Sequence, residues 1–308
     1  IKLESYFDLT RHDISTKLFS SFYGSKSITG INNTNGGEIE LDLLIEMLLS
    51  QNEAALYICR KLYRWFVYHD ITPEIEINII QPLADIFRKN NYDILPVVKT
   101  LISSEHFFDT ANRGCQIKSP VDLIIGLVRE LEINFPPTDQ TTTTYTLWNQ
   151  LLTYLSSPQQ DIGDPPDVSG WKAYYQTPLF YGNWINTDTM PKRLQYTQNL
   201  ISPGYTAGGF KMIVPAIEYI KKFQRPSDPN QLLDDICEHL LGVNISNNHK
   251  SIIKKDILLS GQIDDHYWTN AWETYVNSPS NTSNTNYVNT ALVNLLKYII
   301  NLPEYQLC

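Results

Sequence analysis

Apolar side chains recur at three- and four-residue spacing along most of this chain, which is the period of an amphipathic helix. In residues 38–50 the repeat runs through Leu41, Leu44, Ile45, Leu48 and Leu49. Residues 53–69 carry a wider stripe, made of Ala55, Ile58, Cys59, Leu62, Phe66 and Val67. We predict a helix in each segment and expect the second to be the central element of a helical core.

Several helix starts are marked by a capping residue followed by proline. Thr72-Pro73, Ser119-Pro120 and Asp228-Pro229 each place a side-chain oxygen before a residue that lacks an N–H, as first turns favour. Pro82 falls inside the helix that begins at Pro73, so we expect it to kink or split that helix. Further helices are predicted over residues 94–104, 119–131, 147–155, 187–200, 210–223, 229–241, 247–259, 264–276 and 286–301.

Two stretches depart from the helical period. Residues 1–36 hold short β-leaning segments at 17–23 and 27–29, which predicts a small hairpin followed by a linker. Residues 156–185 have no regular period, yet they are rich in aromatic rings, so we predict an ordered aromatic loop. The fold class is therefore all-α: a multi-helix globular protein with an N-terminal β-hairpin. We expect two helical halves, residues 37–155 and 186–308, on either side of the loop in one continuous domain.

Composition and charge narrow the classes of function. The 308 residues carry a net charge of -9, which argues against a nucleic-acid-binding surface because such surfaces need clustered positive charge. No run of about 18 apolar residues is present, so we expect no transmembrane segment. The chain opens on Ile1 rather than on Met or a signal peptide, so we expect a mature or trimmed product.

Four cysteines lie far apart along the chain. Cys59, Cys115, Cys237 and Cys308 lack CxxC spacing, so no zinc or other metal site is predicted. In an exported protein they could form two disulfides, and the pairing that we favour is Cys59–Cys115 with Cys237–Cys308. The alternative is four reduced cysteines, two of them core residues on helices.

Cationic side chains supply one candidate binding site. Arg60 and Arg64 are four residues apart on one helical face, and we expect no carboxylate on that helix to answer them. With Lys118 they form a candidate anion site, since guanidinium groups grip carboxylate, sulfate or phosphate. The alternative is an internal ion-pair network, with acidic partners such as Asp85, Asp93 or Asp122.

His12, Asp13 and Lys17 are the candidate catalytic residues. They could form an acid–base group, although adjacent residues on a strand point to opposite sides. The alternative is that they make hydrogen bonds that anchor the hairpin. The remaining histidines show no metal-ligand spacing, and neither a nucleotide-binding motif nor a GxSxG nucleophile motif occurs, so no cofactor is predicted.

Several motifs together resemble the bacterial domain-of-unknown-function 1800 (DUF1800) family. They are Cys59-Arg-Lys-Leu-Tyr-Arg-Trp-Phe-Val67, Leu83-Ala-Asp-Ile-Phe87, Leu101-Ile-Ser-Ser-Glu-His-Phe107, Lys118-Ser-Pro-Val-Asp122, Pro165-Pro-Asp-Val-Ser-Gly-Trp171, Trp184-Ile-Asn186 and Leu302-Pro-Glu-Tyr-Gln306. His12-Asp13 with Lys17 is similar to the family's HD…K segment. The family's usual start is absent, so the chain looks like the larger C-terminal part of a longer protein. The resemblance implies a mostly helical bacterial protein that is often exported, with a protein of the DUF1501 family as a possible partner and no agreed catalytic residues.

Three functions are open at this point. The leading hypothesis is an exported accessory protein that binds a partner protein or a glycan through Trp171, Tyr174, Trp184 and Asn186 of the aromatic loop and through the Arg60, Arg64 and Lys118 side. The second is a hydrolase for an anionic or glycan substrate, with His12, Asp13, Arg60 and Arg64 in one cleft. The third is a structural subunit of a surface assembly.

Overall fold

The computed structural model describes residues 6–308 and is mostly helical, which confirms the predicted fold class. The chain divides into two compact units, Ile1–Asn112 and Arg113–Cys308. The division therefore falls at residue 112 rather than at the aromatic loop. The reason is that the helix Pro120–Glu130 packs on two helices at once. One, Thr141–Ser156, leads into the aromatic loop, and the other, Thr189–Ile201, follows it. Periodicity alone does not show which helices pair.

The first unit begins with a hairpin and continues as helices. Strands β1 (Thr16–Leu18) and β2 (Ser27–Thr29) are antiparallel, with Lys17 opposite Ile28, which confirms the predicted hairpin. The helices are α1 (Gly36–Leu49), α2 (Asn52–Phe66), α3 (Pro73–Ile75), α4 (Gln81–Lys89) and α5 (Ile94–Ile102). A π turn, Glu76–Ile80, joins α3 to α4, with Pro82 in the first turn of α4. The helix is thus split where Pro82 removes a backbone donor.

Helix α2 supplies one wall of the first unit's core. Ala55, Cys59, Tyr63 and Val67 are buried at four-residue spacing. They belong to one cluster with residues of α4 and α5, among them Leu83 and Val97. The stripe differs from the predicted one, because Phe66 is exposed and Tyr63 is fully buried. Burial of Tyr63 is possible because its hydroxyl lies 2.8 Å from His106 Nε2, so the polar end keeps a hydrogen bond.

The second unit holds the remaining elements. They are α6 (Pro120–Glu130), α7 (Thr141–Ser156), α8 (Thr189–Ile201), β3 (Tyr205–Ala207), β4 (Phe210–Met212), α9 (Ala216–Ile220), α10 (Pro229–Leu240), α11 (Asn247–Ile253), α12 (His266–Asn277) and α13 (Thr282–Ile300). The helix predicted over 210–223 is wrong in its first part, which forms a hairpin. Gly208 and Gly209, with φ of 53° and 80°, make the turn between β3 and β4. Helix α7 also begins earlier than predicted, within the threonine run.

Helix α13 is the centre of the second unit's core. Its buried stripe includes Val288, Leu292, Leu295 and Ile299, and it packs on α8, α9 and α12. The two ends of the unit meet at the surface of this core. Ile117 pairs antiparallel with Leu307, and the Lys118 amide donates to the Gln306 carbonyl at 2.8 Å. Among the helices of residues 6–308, none combines the length and the apolar character that crossing a bilayer requires.

Candidate functional site

His12 and Lys17 converge on a residue that sequence reasoning missed, Glu40 of α1. His12 Nε2 lies 2.6 Å from Glu40 Oε1, and Lys17 Nζ donates to Glu40 Oε2 at 2.7 Å. The Ile31 amide donates to the same carboxylate at 2.7 Å. The Lys17 ammonium, the Ile31 amide and the His12 ring together lower the pKa of Glu40 to about 2. The only sequence signal for Glu40 is a carboxylate in the early turns of a predicted helix.

In residues 6–308, the Asp13 carboxylate makes no hydrogen bond to His12, Lys17 or Glu40. The carboxylate accepts hydrogen bonds from the Ser15 amide and the Ser15 hydroxyl, both at 2.8 Å. Lys17 also donates to the Asp13 carbonyl. Side chains of the hairpin are thus tied to α1 through Glu40, while Asp13 closes a local turn. This arrangement favours the anchoring interpretation of His12, Asp13 and Lys17 over a shared acid–base site.

Arg60 is held by two carboxylates of its own unit. Its Nε and Nη2 donate to Glu76 at 2.9 and 2.6 Å, and its Nη1 donates to Glu53 at 2.5 Å. Glu53 is on α2 itself, two turns before Arg60, so the expectation that this helix offers no answering carboxylate is wrong. The Arg60 guanidinium lowers the pKa of Glu76. The ion-pair network is therefore present, with partners other than those predicted.

The other acidic residues considered as partners have local roles. Asp85 pairs with Arg88 at 2.5 Å, Asp93 caps α5, and Asp122 forms a capping box with Ser119 at the start of α6. Arg64 is half-buried, and its Nε donates to the His69 carbonyl at 3.3 Å.

Lys118 lies in the second unit beside a buried arginine that the sequence analysis missed. Lys118 is 8% exposed, and its Nζ lies 3.9 Å above the Tyr305 ring. Arg193 is 0% exposed and donates to Gln306 Oε1 at 2.9 Å and to the Lys118 carbonyl at 2.8 Å. Burial lowers the pKa of Lys118, and it lowers the pKa of Arg193 to about 10. Arg193 could be suspected only from the polar stripe Thr189, Arg193 and Thr197 on α8.

All four cysteines are reduced in the structure. Neither Cys59–Cys115 nor Cys237–Cys308 is bonded. Cys59 and Cys237 lie in the interior of α2 and α10, and burial raises the pKa of each thiol to about 11. The structure thus has the alternative arrangement, in which two of the four are core residues on helices.

The aromatic loop, residues 156–185, is ordered around two short 3₁₀ helices, Lys172–Tyr174 and Phe180–Trp184. Tyr174 lies at the middle of its rings, edge-to-face with Trp171 at 6.3 Å and with Trp184 at 5.7 Å between centroids. The buried Gln160 ties this cluster to α6, because its amide donates to the Tyr174 hydroxyl at 3.2 Å and accepts from the Val121 amide at 2.9 Å. The rings are therefore fixed on the start of a core helix.

The loop encloses a hollow of about 480 Å³, which we call the loop hollow. This volume falls within the roughly 300–1,000 Å³ that is typical of small-ligand sites. Its lining residues are Ser156, Gln159, Asp161, Asp164, Pro166, Trp171, Lys172, Ala173, Asn183, Trp184 and Asn186. Trp171 is half-buried, so part of its indole remains accessible from the hollow.

The polar lining of the loop hollow is more acidic than basic. Asp161 and Asp164 contribute two carboxylates against the single ammonium of Lys172. Within the part of the chain that the structure describes, none of these three charges forms an ion pair. A third acid, Asp167, accepts from the Tyr175 hydroxyl at 2.6 Å, which lowers the pKa of Asp167. The carboxylates of Asp161 and Asp164 are thus left to solvent or to a ligand, whereas the Lys172 ammonium also attracts Asp167.

Two of the predicted binding residues, Trp184 and Asn186, have structural roles. Trp184 is only 3% exposed and fills the space beneath the loop. The Asn186 side chain accepts from the amides of Asp188 and Thr189 at 2.9 and 2.8 Å, which orders the entry to α8. Asn186 remains exposed at the rim of the loop hollow. Trp171 is therefore the predicted aromatic residue best placed to touch a ligand.

The protein is thus helical, and its ordered aromatic loop contains a hollow of the size that small ligands occupy. The family to which it belongs is described as "Protein of unknown function (DUF1800)", and the family's model matches residues 2–307 of this chain. This confirms the resemblance carried by the motifs. Neither the curated proteins nor the solved structures contain a match to the chain.

Proposed function

We propose that this protein binds a neutral or amino-bearing glycan in the loop hollow and acts as an accessory, non-catalytic binding protein. The observation that carries the proposal is the Trp171 ring beside unpaired carboxylates and side-chain amides in one concave site. Indole rings offer an apolar face to the C–H side of a sugar. Carboxylates and amides accept and donate the hydrogen bonds that sugar hydroxyls need.

Charge decides which glycans suit the site. With Asp161 and Asp164 opposed only by Lys172, an anionic sugar would place like charges close together. A neutral hexose meets no such repulsion, and an amino sugar gains attraction. The proposal therefore differs from the anionic ligand considered for Arg60, whose guanidinium is occupied by Glu53 and Glu76.

A protein partner is the second candidate, and exposed apolar side chains of the loop favour it. Ile162, Val168 and Leu179 all project into solvent from the rim region. Aliphatic groups of this kind are common in protein interfaces but add little to sugar recognition. Export and a partner of the DUF1501 family, which the resemblance implies, stay predictions.

Titration of the full chain with sugars tests the glycan proposal. We expect neutral and amino-bearing oligosaccharides to quench tryptophan fluorescence saturably and uronic acids to bind more weakly. Trp171→Ala should weaken binding roughly tenfold, as loss of an aromatic stacking contact predicts. The matched control is Trp148→Ala, which removes an exposed tryptophan on α7 outside the loop hollow.

Two results would overturn the proposal. One is an unchanged affinity in folded Trp171→Ala protein. The other is the absence of saturable binding across neutral, amino-bearing and acidic oligosaccharides at millimolar concentration. If Val168→Asp and Leu179→Asp abolished capture of a DUF1501 protein while sugars had no effect, the second candidate would replace the first.

A further inference from the structure

A second hollow, of about 580 Å³, lies between three elements of the second unit. Its walls come from α8, from α13 and from a π turn, Lys254–Leu258, that continues α11. We call it the helix hollow. Each wall is rigid, because its opposite face is core: Leu200, Leu258 and Leu296 are fully buried. The backbone positions of the lining residues are therefore fixed before any ligand arrives.

Seven polar side chains line the helix hollow: Gln198, Asp256, Ser260, Asn294, Lys297, Tyr298 and Asn301. Asp256 and Lys297 bear opposite charges, yet neither forms an ion pair within residues 6–308. Nearby lysines behave differently. Lys250 is paired with Asp234 at 2.7 Å and Lys254 with Asp265 at 2.8 Å. These two lysines are thus neutralised within the chain, whereas the two charges that line the hollow are not.

The amides of the helix hollow are unpaired as well. In the described part of the chain, the side chains of Gln198, Asn294 and Asn301 make no hydrogen bond. Asn301 Oδ1 is also buried, and a buried acceptor without a donor is costly. These groups are therefore available to a ligand that carries several donors and acceptors.

The π turn shapes one wall of the site. The Leu259 amide donates to the Lys254 carbonyl at 2.9 Å, which is the wide π spacing. Ser260 then adopts a left-handed φ of 51°, which is unfavourable for a residue with a Cβ. Single π turns and strained residues are both frequent at functional sites. Here they occur together at the rim of the hollow.

We propose that the helix hollow binds a free α-amino acid with a polar side chain. Lys297 would take the ligand's carboxylate, Asp256 its ammonium group, and the three amides its side chain. A ligand with one charge would leave the other hollow charge unanswered or repelled, so a zwitterion suits the pair best. Phosphorylated ligands are disfavoured, because a single lysine would face two or more negative charges beside Asp256.

Calorimetric titration of the full chain with each of the twenty L-amino acids tests this inference. The tightest ligand is then compared with its carboxamide and its N-acetyl form, each of which lacks one charge. Loss of a charge-assisted hydrogen bond corresponds to roughly a tenfold weaker affinity or more. We expect that loss for both modified ligands and for Lys297→Gln and Asp256→Asn, while Lys255→Gln on the same turn leaves affinity unchanged.

Binding of the carboxamide or the N-acetyl form as tightly as the parent would overturn the inference, as would no binding by any amino acid at millimolar concentration. If a variant fails to fold, the affinities of the carboxamide and the N-acetyl form for the unaltered protein still test the inference. Trp171→Ala distinguishes this proposal from the proposed function, because Trp171 lines the loop hollow and does not line the helix hollow. We expect it to leave amino-acid affinity unchanged, and a parallel loss of both activities would contradict a separate site.

Discussion

At the scale of single residues, buried or half-buried polar groups determine how the chain closes on itself. Glu40 collects His12, Lys17 and the Ile31 amide, and Arg193 joins Gln306 to the Lys118 carbonyl. Both groups link segments that are distant in sequence. Removing one member leaves its partners without hydrogen bonds, which costs more than the interaction itself contributes.

Acid should release the hairpin of the first unit. The pKa of Glu40 is about 2, below the ordinary value of 4.5, so folding favours its ionised form. A depressed pKa contributes stability above the ordinary value, and that contribution is lost as pH falls from 4.5 towards 2. We expect pepsin cleavage at Leu18 and Phe19 to increase through this interval.

Glu40→Gln removes this titration. In that variant we expect chymotrypsin to cut the hairpin already at pH 7, because His12 and Lys17 lose their carboxylate. Glu38→Gln, on the exposed side of α1, is the control and should behave as the unaltered protein does. A hairpin in Glu40→Gln that resists both proteases would show that the anchor lies elsewhere.

Arg193→Met should destabilise the second unit by about 3 kcal/mol, because the Gln306 and Lys118 oxygens would be buried without donors. Urea unfolding followed by fluorescence measures the loss. Lys192→Met on the same helix is the control, since its half-exposed pair with Asp188 is worth less than about 1 kcal/mol. An equal decrease in the free energy of unfolding for the two variants would show that Arg193 stabilises the unit no more than a half-exposed lysine does.

At the scale of elements, the regular helices and their caps are predictable from the sequence, whereas the departures from that prediction depend on particular residues. The caps at Thr72, Ser119 and Asp228 form as predicted, because each is a local hydrogen bond between neighbouring residues. The β3–β4 hairpin was missed because its residues are apolar enough to fit a helical period. Glu76 was missed as a partner of Arg60 because that pairing depends on tertiary packing. Glu53 was overlooked although it lies on the same helix, two turns before Arg60.

The candidate sites were predictable to different degrees. The aromatic loop was expected from its rings, and Trp171 lines the loop hollow, as a half-buried ring can. The helix hollow was not expected, because its residues come from three separate helical segments. Each of those segments has an ordinary polar face, and no local pattern indicates that the faces converge.

Order in the aromatic loop should depend on Gln160. Gln160→Leu preserves size but removes both the acceptor of the Val121 amide and the donor to the Tyr174 hydroxyl. We expect faster trypsin cleavage after Lys172 and weaker sugar binding. The control is Gln176→Leu, an exposed position of the same loop whose side chain forms no hydrogen bond in residues 6–308. Unchanged cleavage in Gln160→Leu would mean that the rings alone order the loop.

At the scale of the molecule, each unit has its own hydrophobic cluster with one buried cysteine. Cys59 reports on the first cluster and Cys237 on the second. Both thiols are shielded, and burial raises the pKa of each to about 11, so neither should react until its own unit opens. Thiol labelling therefore gives a separate signal for each unit.

Labelling across a urea series, read by peptide mass spectrometry, should modify Cys59 at lower urea than Cys237, because the first cluster contains fewer buried side chains. Fully denatured protein without reductant should show four reactive thiols. A common midpoint for Cys59 and Cys237 would indicate that the units unfold together. Fewer than four thiols would indicate a disulfide.

The pairing of residues 116–118 with residues 306–308 restricts when the second unit can be completed during synthesis. Residues near 117 leave the ribosome before their partners exist, because the segment that pairs with them is made almost two hundred residues later. Until then Lys118 has no ring beneath its ammonium, and Arg193 lacks the Gln306 amide. The nascent chain must therefore hold a cationic, unclosed core until residues 305–308 have been made, which is a natural point for a chaperone to act.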